Sequence, residues 1–248
     1  MTDDCKIING DMIEWLPSIR EKSVDLILCD LPYGITNLQW GKKVDLDAVF
    51  GEFRRVIKDH GAIICFGQQP FGSDLINAWR KGFRYEITWD KVAPFGFLNA
   101  NRMPLRVHEN LYVFYKHLPT YNPQKVPGGR VREVRHGPRA GHYKNTRRLS
   151  VNYDGMKMPT DIVRISVRTN KTTHPTEKPV ALYDWLIKTY SNPGDLILDP
   201  CFGSANSGVA ALQNSRKYIG IELDKGYFEK GKEKIESSFA GGKDACTD

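Results

Sequence analysis

The stretch Leu196-Ile197-Leu198-Asp199-Pro200-Cys201-Phe202-Gly203-Ser204-Ala205-Asn206-Ser207-Gly208 decides how this chain is read. A short apolar run ends in an acid, a tight turn of small residues follows, and Val209-Ala210-Ala211-Leu212 continues as a helix start. A strand, a glycine-bearing turn and a helix N-terminus together let backbone N–H groups come close to a ligand. Glu222 closes the next apolar run, 19 positions after Gly203, where a carboxylate can hold ribose hydroxyls. The spacing suits any nucleoside cofactor, but the Gly-Lys-Ser/Thr ending of a nucleoside-triphosphate loop is missing. Asp199 ends its strand beside the ligand crevice of an open sheet, and its charge suits a cation better than a pyrophosphate. A purely structural glycine turn is the competing reading of this loop taken by itself.

Outward from that loop, short β-branched runs alternate with segments of helical period, the pattern of a mostly parallel α/β sheet. Seven strands are expected, at Cys5–Ile8, Val24–Cys29, Ala62–Phe66, Tyr85–Trp89, Leu111–Tyr115, Leu196–Asp199 and Tyr218–Glu222. Helices covering both faces are expected at Met12–Leu16, Leu46–Val56, Gly72–Lys81, Pro179–Tyr190, Ser204–Gln213 and Lys225–Phe239. Asp45 is placed to cap the second, and Pro179 suits a first turn, where its missing N–H goes unused.

The rhythm breaks between 118 and 172, a segment rich in Pro, Gly, Arg, Asn and Tyr, with turn signals at Pro127-Gly128-Gly129 and Gly137-Pro138. The expected organisation is therefore one core in two halves, 1–117 and 173–240, an insertion at 118–172 and a flexible tail at 241–248. The formal net charge of +7 is concentrated: residues 120–172 carry twelve basic side chains against three acidic ones, a net of +9. A local excess of this kind suits a face that meets a polyanion. Arg130, Arg132, Arg135, Arg139, Lys144, Arg147 and Arg148 are the candidate contacts to such a polyanion, and Tyr121, Tyr143 and Tyr153 can stack on bases or pack on the body. A solvated basic loop is the bland alternative.

No apolar run approaches the ~20 residues needed to span a bilayer, and the polar start Met1-Thr2-Asp3-Asp4-Cys5 is unlike a signal peptide, so a cytoplasmic location is expected. The five cysteines are scattered without a Cys-x-x-Cys pair, and the six histidines supply no ligand spacing. Neither a disulfide framework nor a metal site is expected.

The second informative stretch is Val24-Asp25-Leu26-Ile27-Leu28-Cys29, running straight into Asp30-Leu31-Pro32-Tyr33-Gly34. An acid, a proline and an aromatic at a strand's carboxyl end form a compact set of groups for an amino-bearing ring. This turn resembles the Asp-Pro-Pro-Tyr motif of amino-methyltransferases, and the Gly203 loop resembles their glycine-rich cofactor motif. With the catalytic motif first, the basic region second and the cofactor loop third, the chain resembles the beta group of the N6-adenine/N4-cytosine DNA methyltransferases. The likeness is greatest to phage-like members carrying Asp-Leu-Pro-Tyr-Gly. It extends in order through Asn9-Gly10-Asp11, Phe53-Arg54-Arg55-Val56-Ile57-Lys58, His108-Glu109-Asn110-Leu111 and His174-Pro175-Thr176-Glu177-Lys178-Pro179.

The resemblance implies a Rossmann-like S-adenosylmethionine-dependent methyltransferase fold and methyl transfer to adenine N6 in double-stranded DNA after base flipping. It assigns Asp30, Leu31, Pro32 and Tyr33 to catalysis. It assigns Asp11, Asp30, His174, Thr176, Lys178, Asp199, Cys201, Phe202, Gly203, Ser204, Ala205, Asn206, Glu222 and Leu223 to the cofactor. A homodimer and a cognate restriction nuclease are the further partners it suggests.

Two departures bear on those roles. Ala205 replaces a family glycine, which limits positive φ near the cofactor. Leu31 replaces the first proline of the motif, but the group used there is its main-chain carbonyl, and Pro32 still biases Leu31 towards an extended backbone. Other readings stay open at this point: a cytosine-N4 enzyme, a DNA-binding relative without catalysis, or a methyltransferase acting on RNA or protein. Pro200-Cys201 also invites a cytosine-C5 reading, in which the cysteine is a nucleophile; that reading leaves no separate cofactor loop.

Overall fold

The structure, a computed structural model, describes residues 4–32, 44–128, 155–167 and 177–240. Its architecture follows from β2 (Val24–Cys29), in which Leu26, Ile27, Leu28 and Cys29 are all fully buried. Alternate residues of a strand face opposite sides, so β2 needs cover on both. Leu26 and Leu28 pack with residues of α4 (Val180–Tyr190), α5 (Asn206–Gln213) and α6 (Lys225–Ala240). Ile27 and Cys29 pack on the other side with α1 (Met12–Trp15), α2 (Leu46–Val56) and α3 (Phe71–Ala78). Asp45 caps α2 by accepting from the Asp47 and Ala48 amides, both at 3.1 Å.

The main sheet has eight strands in the order β1-β10-β9-β2-β3-β5-β4-β8. Its further members are β1 (Cys5–Asn9), β3 (Ile57–Gly67), β4 (Phe83–Phe95), β5 (Arg106–Phe114), β8 (Ile162–Arg164), β9 (Leu196–Asp199) and β10 (Lys217–Glu222). Only β5 runs against the rest, pairing antiparallel with β3 and β4. All seven strands expected from the sequence are present. The eighth, β8, pairs parallel with β4 at Thr88 and Ile162, and the Trp89 indole N–H donates to the Ile165 carbonyl at 2.8 Å. Its three residues carry too little apolar pattern to be read as a strand.

Segment boundaries differ from expectation in several places, among them the starts of β3 at Ile57 and of β5 at Arg106, each five residues early. The strand β4 continues past Trp89 to Phe95, because its polar Asp90 and Lys91 find partners in Arg164 and Glu109. Helix α3 stops at Ala78, where Trp79 leaves helical geometry and stacks on Phe114 at 6.2 Å. Of the expected insertion at 118–172, residues Pro123–Thr160 form a separate unit holding the two-residue pair β6 (Val126–Pro127) and β7 (Met156–Lys157), whereas residues 161–167 belong with the main sheet. No helix among the described residues is long and apolar enough to cross a membrane.

Phe50 is fully buried between Phe53 and Phe114, with ring centroids 5.8 and 5.1 Å away. Phe50→Ala is expected to lower unfolding free energy by about 3–5 kcal/mol in urea titration, the cost of a core cavity of that size.

Candidate active site

The chain leaves β9 through α5 towards β10 and leaves β2 through α2 towards β3, in opposite directions across the sheet. Where connections diverge in this way, a crevice opens at the carboxyl ends of the strands. The two sequence motifs meet there. Cys29 Sγ, one residue before Asp30, lies 3.5 Å from Cys201 Sγ, 172 positions away in the chain.

On the β9 side, the loop is tied down by carboxylates. Asp199, 1% exposed, accepts from the Cys201 amide at 3.1 Å and the Ser207 hydroxyl at 2.6 Å. Burial, reinforced by the Asp30 and Glu222 charges, outweighs those hydrogen bonds and raises the Asp199 carboxyl from its ordinary 3.8 to about 7. Glu222, at the end of β10, accepts from the Gly203 amide at 2.8 Å and the Asp224 amide at 2.9 Å; burial pushes its carboxyl up as well. Gly203 (φ 50°) and Ala205 (φ 58°) both adopt left-handed backbone. The alanine therefore takes the conformation that a glycine would adopt freely, at a cost of about 1 kcal/mol. Its methyl group is fully buried, in the same core cluster as Phe202. Asn206, 3% exposed, donates to the Glu177 carboxylate and the Lys178 carbonyl, both at 2.7 Å, while its Oδ1 is a buried acceptor with no protein partner.

On the β2 side, the Asp30 carboxylate meets Lys178 Nζ at 2.6 Å. Lys178 also reaches Glu109 at 3.3 Å, and Glu109 pairs with Lys91 at 2.6 Å. Lys178 and Glu109 are 8% and 3% exposed, and the ammonium lies 5.3 Å from the centre of the Phe66 ring. Burial alone would lower the Lys178 ammonium; Asp30 and Glu109 more than offset this and hold it above its ordinary range. Leu31 is 1% exposed and belongs to the core beneath the turn. Its apolar side chain thus anchors the turn where the family motif carries a proline.

Lys178 stands at the centre of this ion cluster and Pro32 follows Leu31 at the turn, half-buried. Cys201, Gly203 and Ser204 are half-buried in the β9 loop, and Leu223 is exposed just beyond Glu222. Asp11 caps α1 by accepting from the Ile13 amide at 2.9 Å. Tyr33, His174, Thr176 and the seven basic candidates Arg130, Arg132, Arg135, Arg139, Lys144, Arg147 and Arg148 lie outside the described residues. Sequence reasoning assigned no role to Glu109 or Lys91. The available signal was a carboxylate two positions before the apolar run Leu111–Phe114, a position that a buried partner must neutralise.

A Cys201 nucleophile finds no support in this setting. The Cys29 contact lowers its thiol pKa, but burial and the Asp199, Asp30 and Glu222 carboxylates outweigh that and push it above the ordinary value of 9.0. A neutral thiol is a weak nucleophile.

The doubly covered sheet and its carboxylate-lined crevice match the fold of S-adenosylmethionine-dependent methyltransferases. The sequence model of the DNA methylase family matches residues 24–233, and the chain belongs to that family, the N6-adenine/N4-cytosine DNA methyltransferases. It is 30% identical to the type II methyltransferase M.HpaI of Haemophilus parainfluenzae, over 96% of this chain and 76% of that protein. It is 28% identical to the DNA adenine methyltransferase YhdJ of Escherichia coli K12, over 93% of this chain and 82% of that protein. Among solved structures, the cytosine-N4-specific PvuII DNA methyltransferase shares the fold with a TM-score of 0.68 at 17% identity, covering 97% of this chain and 93% of that one. The M1.HpyAVI–SAM complex aligns with a TM-score of 0.63 at 24% identity, covering 93% and 99%.

Because its folded-state pKa is raised, Asp199 binds a proton more readily in the folded chain than in the unfolded one. Its contribution to stability is full below about pH 4 and is lost as pH rises to about 7. Thermal melts are expected to show Asp199→Asn removing this component, so that the variant gains on the wild type as pH rises through that window. Glu109→Gln strips the shared counter-charge from two lysines and is expected to cost about 3 kcal/mol in denaturant titration. Adding Lys91→Met to that variant should recover part of the loss.

Proposed function

We propose that the chain methylates adenine N6 in double-stranded DNA, with the Asp30 carboxylate and the Leu31 carbonyl as acceptors for the target amine. The observation that carries this reading is Asp30 itself, an acid at the end of β2, oriented by Lys178 at 2.6 Å on the crevice shared with the Gly203 loop. The acid at the head of the motif favours adenine, since serine is common there in cytosine-N4 enzymes. YhdJ, the relative named as an adenine enzyme, supports the same choice.

The β9 loop fits S-adenosylmethionine. The buried, unpartnered Asn206 Oδ1 is an acceptor suited to the cofactor's ammonium group. Glu222 retains acceptor capacity for ribose hydroxyls, and the acids Asp199 and Asp30 favour a cation in the crevice. When bound, S-adenosylmethionine supplies a methyl group activated by a sulfonium charge. His174, Thr176, Lys178, Cys201, Phe202, Ser204, Ala205, Leu223 and Asp11 complete the proposed cofactor surroundings.

An exocyclic amine conjugated with its ring is a poor nucleophile, because its lone pair is delocalised. Two acceptors aimed at its hydrogens favour a pyramidal nitrogen and stabilise the positive charge that develops on attack. Lys178 fixes the rotation of the Asp30 carboxylate, and the buried Leu31 side chain fixes the turn that presents the carbonyl. Tyr33 stacks on the ring, a positioning role. The basic residues of the 118–172 segment contact phosphates, which makes binding steeply salt-dependent.

DNA incubated with methyl-labelled S-adenosylmethionine and digested to nucleosides is expected to carry label in N6-methyladenine. Label in N4-methylcytosine overturns the choice of base, and label confined to RNA or protein acceptors overturns DNA. Asp30→Ala removes the side-chain acceptor and is expected to lower transfer by about a hundredfold or more while calorimetry shows the cofactor still bound.

A further inference from the structure

The hairpin of β4 and β5 ends in a tip that the mechanism above does not use. Every residue from Phe95 to Pro104 is exposed; Leu98 is 100% exposed, Phe97 63% and Met103 44%. These apolar side chains do not sit on a loose loop. Gly96 (φ 86°) reverses the chain into a 3-10 turn over Phe97–Asn99. Amide-to-carbonyl bonds from Asn99 to Gly96, Ala100 to Phe97 and Arg102 to Asn99, at 2.9–3.1 Å, hold that turn.

Charge and position narrow the choice of occupant. From Val92 to His108 the chain contains Arg102 and Arg106 and no acid, while Lys91, just before it, is neutralised by Glu109 at 2.6 Å. Strand β4 runs parallel to β8 and in the same sense as β2, so its end at Phe95 lies on the carboxyl edge of the sheet that also carries Asp30. The base of the hairpin is fastened there, with Arg106 donating to Gln68 Oε1 at 2.6 Å beyond the end of β3. Beneath the tip a cavity of about 290 Å³ is lined by Gln68, Lys91, Phe95 and His108 among others. Lys91 links that cavity through Glu109 to Lys178 and Asp30.

Single exposed hydrophobic residues are ordinary, but a fully exposed leucine beside a phenylalanine on a fastened, acid-free turn is matched to a partner that is both anionic and stacked. We propose that this tip is a DNA wedge. On the reading that the enzyme methylates an extruded base in duplex DNA, Phe97 and Leu98 insert between base pairs beside the target, and Arg102 holds a neighbouring phosphate. An apolar wedge of this kind unstacks a base step, which is the step that extrusion of a nucleotide requires. It thereby supplies a positioning function distinct from that of Asp30.

The test uses the full-length protein and its Phe97→Ala/Leu98→Ala variant, two side chains whose exposure makes loss of the fold unexpected; equal melting temperatures and equal cofactor affinity establish that. Closed-circular plasmid is relaxed by a topoisomerase with saturating protein present, and the linking number is read on a gel. Wild type is expected to unwind the plasmid and the variant to leave it unshifted. Single-turnover transfer of labelled methyl to the same plasmid is expected to fall by about tenfold or more in the variant. Arg102→Ala is expected to reduce the slope of log affinity against log salt by about 1. An unshifted plasmid with wild type, or equal unwinding by both proteins, overturns the wedge. A change of oligomeric state in the variant also overturns it, because the tip is then a contact between copies of the chain. If wild type transfers no methyl to DNA, the enzymatic reading fails, and the topoisomer comparison still decides the wedge by itself.

Discussion

The site depends on one buried ammonium. Lys178 lies almost out of solvent between the carboxylates of Asp30 and Glu109, which come from chain segments on either side of the 118–172 stretch. Moving a charge of that kind out of water costs several kcal/mol unless well-placed counter-charges offset it. Here the charges alternate along a line, Asp30, Lys178, Glu109, Lys91, so each ion inside the line has an opposite charge on both sides. Removing Glu109 takes away the counter-charge shared by two lysines, and removing Lys178 takes away the one shared by two carboxylates. The cluster therefore locks the end of β2, the approach to α4, and strands β4 and β5 into one arrangement. It fixes the Asp30 carboxylate, the acceptor proposed for the target amine, before any ligand arrives, and preorganisation of this kind is where electrostatic catalysis gains most.

The cofactor side works by a related economy. Asp199 is buried and held by a hydroxyl and an amide rather than by a cation, so its burial is incompletely compensated and its carboxyl titrates high. An incompletely compensated acid beside two others is poor for stability and favourable for binding a positive ligand, which is a common exchange at functional sites. The Ala205 backbone belongs to the same pattern. Its left-handed conformation is held by burial of the methyl group against the core and by the amide bond from Ala205 to the Phe202 carbonyl at 2.9 Å. The local cost is carried by packing a few residues away, as it must be for a loop that positions Asn206 and Gly203.

Much of this was readable from residue order. The strand ends at Asp30 and Asp199 are legible because an apolar run, an acid and a turn-forming residue occur together, and the uninterrupted apolar run Leu26–Cys29 tells that β2 is covered on both faces. Parts that depend on partners distant in sequence were not. The sequence ends the strand at Trp89, where polar Asp90 and Lys91 follow, although Arg164 and Glu109 pair with them and β4 continues to Phe95. Residues Ile162–Arg164 looked like part of a basic insertion because only Val163 is buried, yet three paired residues are enough to extend a sheet edge. Ala205 was read as a departure that limits positive φ, but the fold imposes that φ regardless. In each case a tertiary contact overrode a local preference, and no window of sequence contains the contact.

The acid-lined crevice also decides between two chemistries that the sequence left side by side. Pro200-Cys201 has the residue types of a thiolate nucleophile, and Asp30 has those of an amine acceptor. Both occupy the same few ångströms, because the Cys201 thiol touches Cys29, the residue before Asp30. Three carboxylates raise the cost of a second negative charge on sulfur, so the thiol stays neutral. The same carboxylates lower the cost of positive charge, whether on a bound sulfonium or on a nitrogen acquiring a methyl group. An environment cannot favour both a thiolate and a developing ammonium at one place. The electrostatics of this crevice therefore disfavour a thiolate at Cys201, which stands instead in the wall where the two sequence motifs meet.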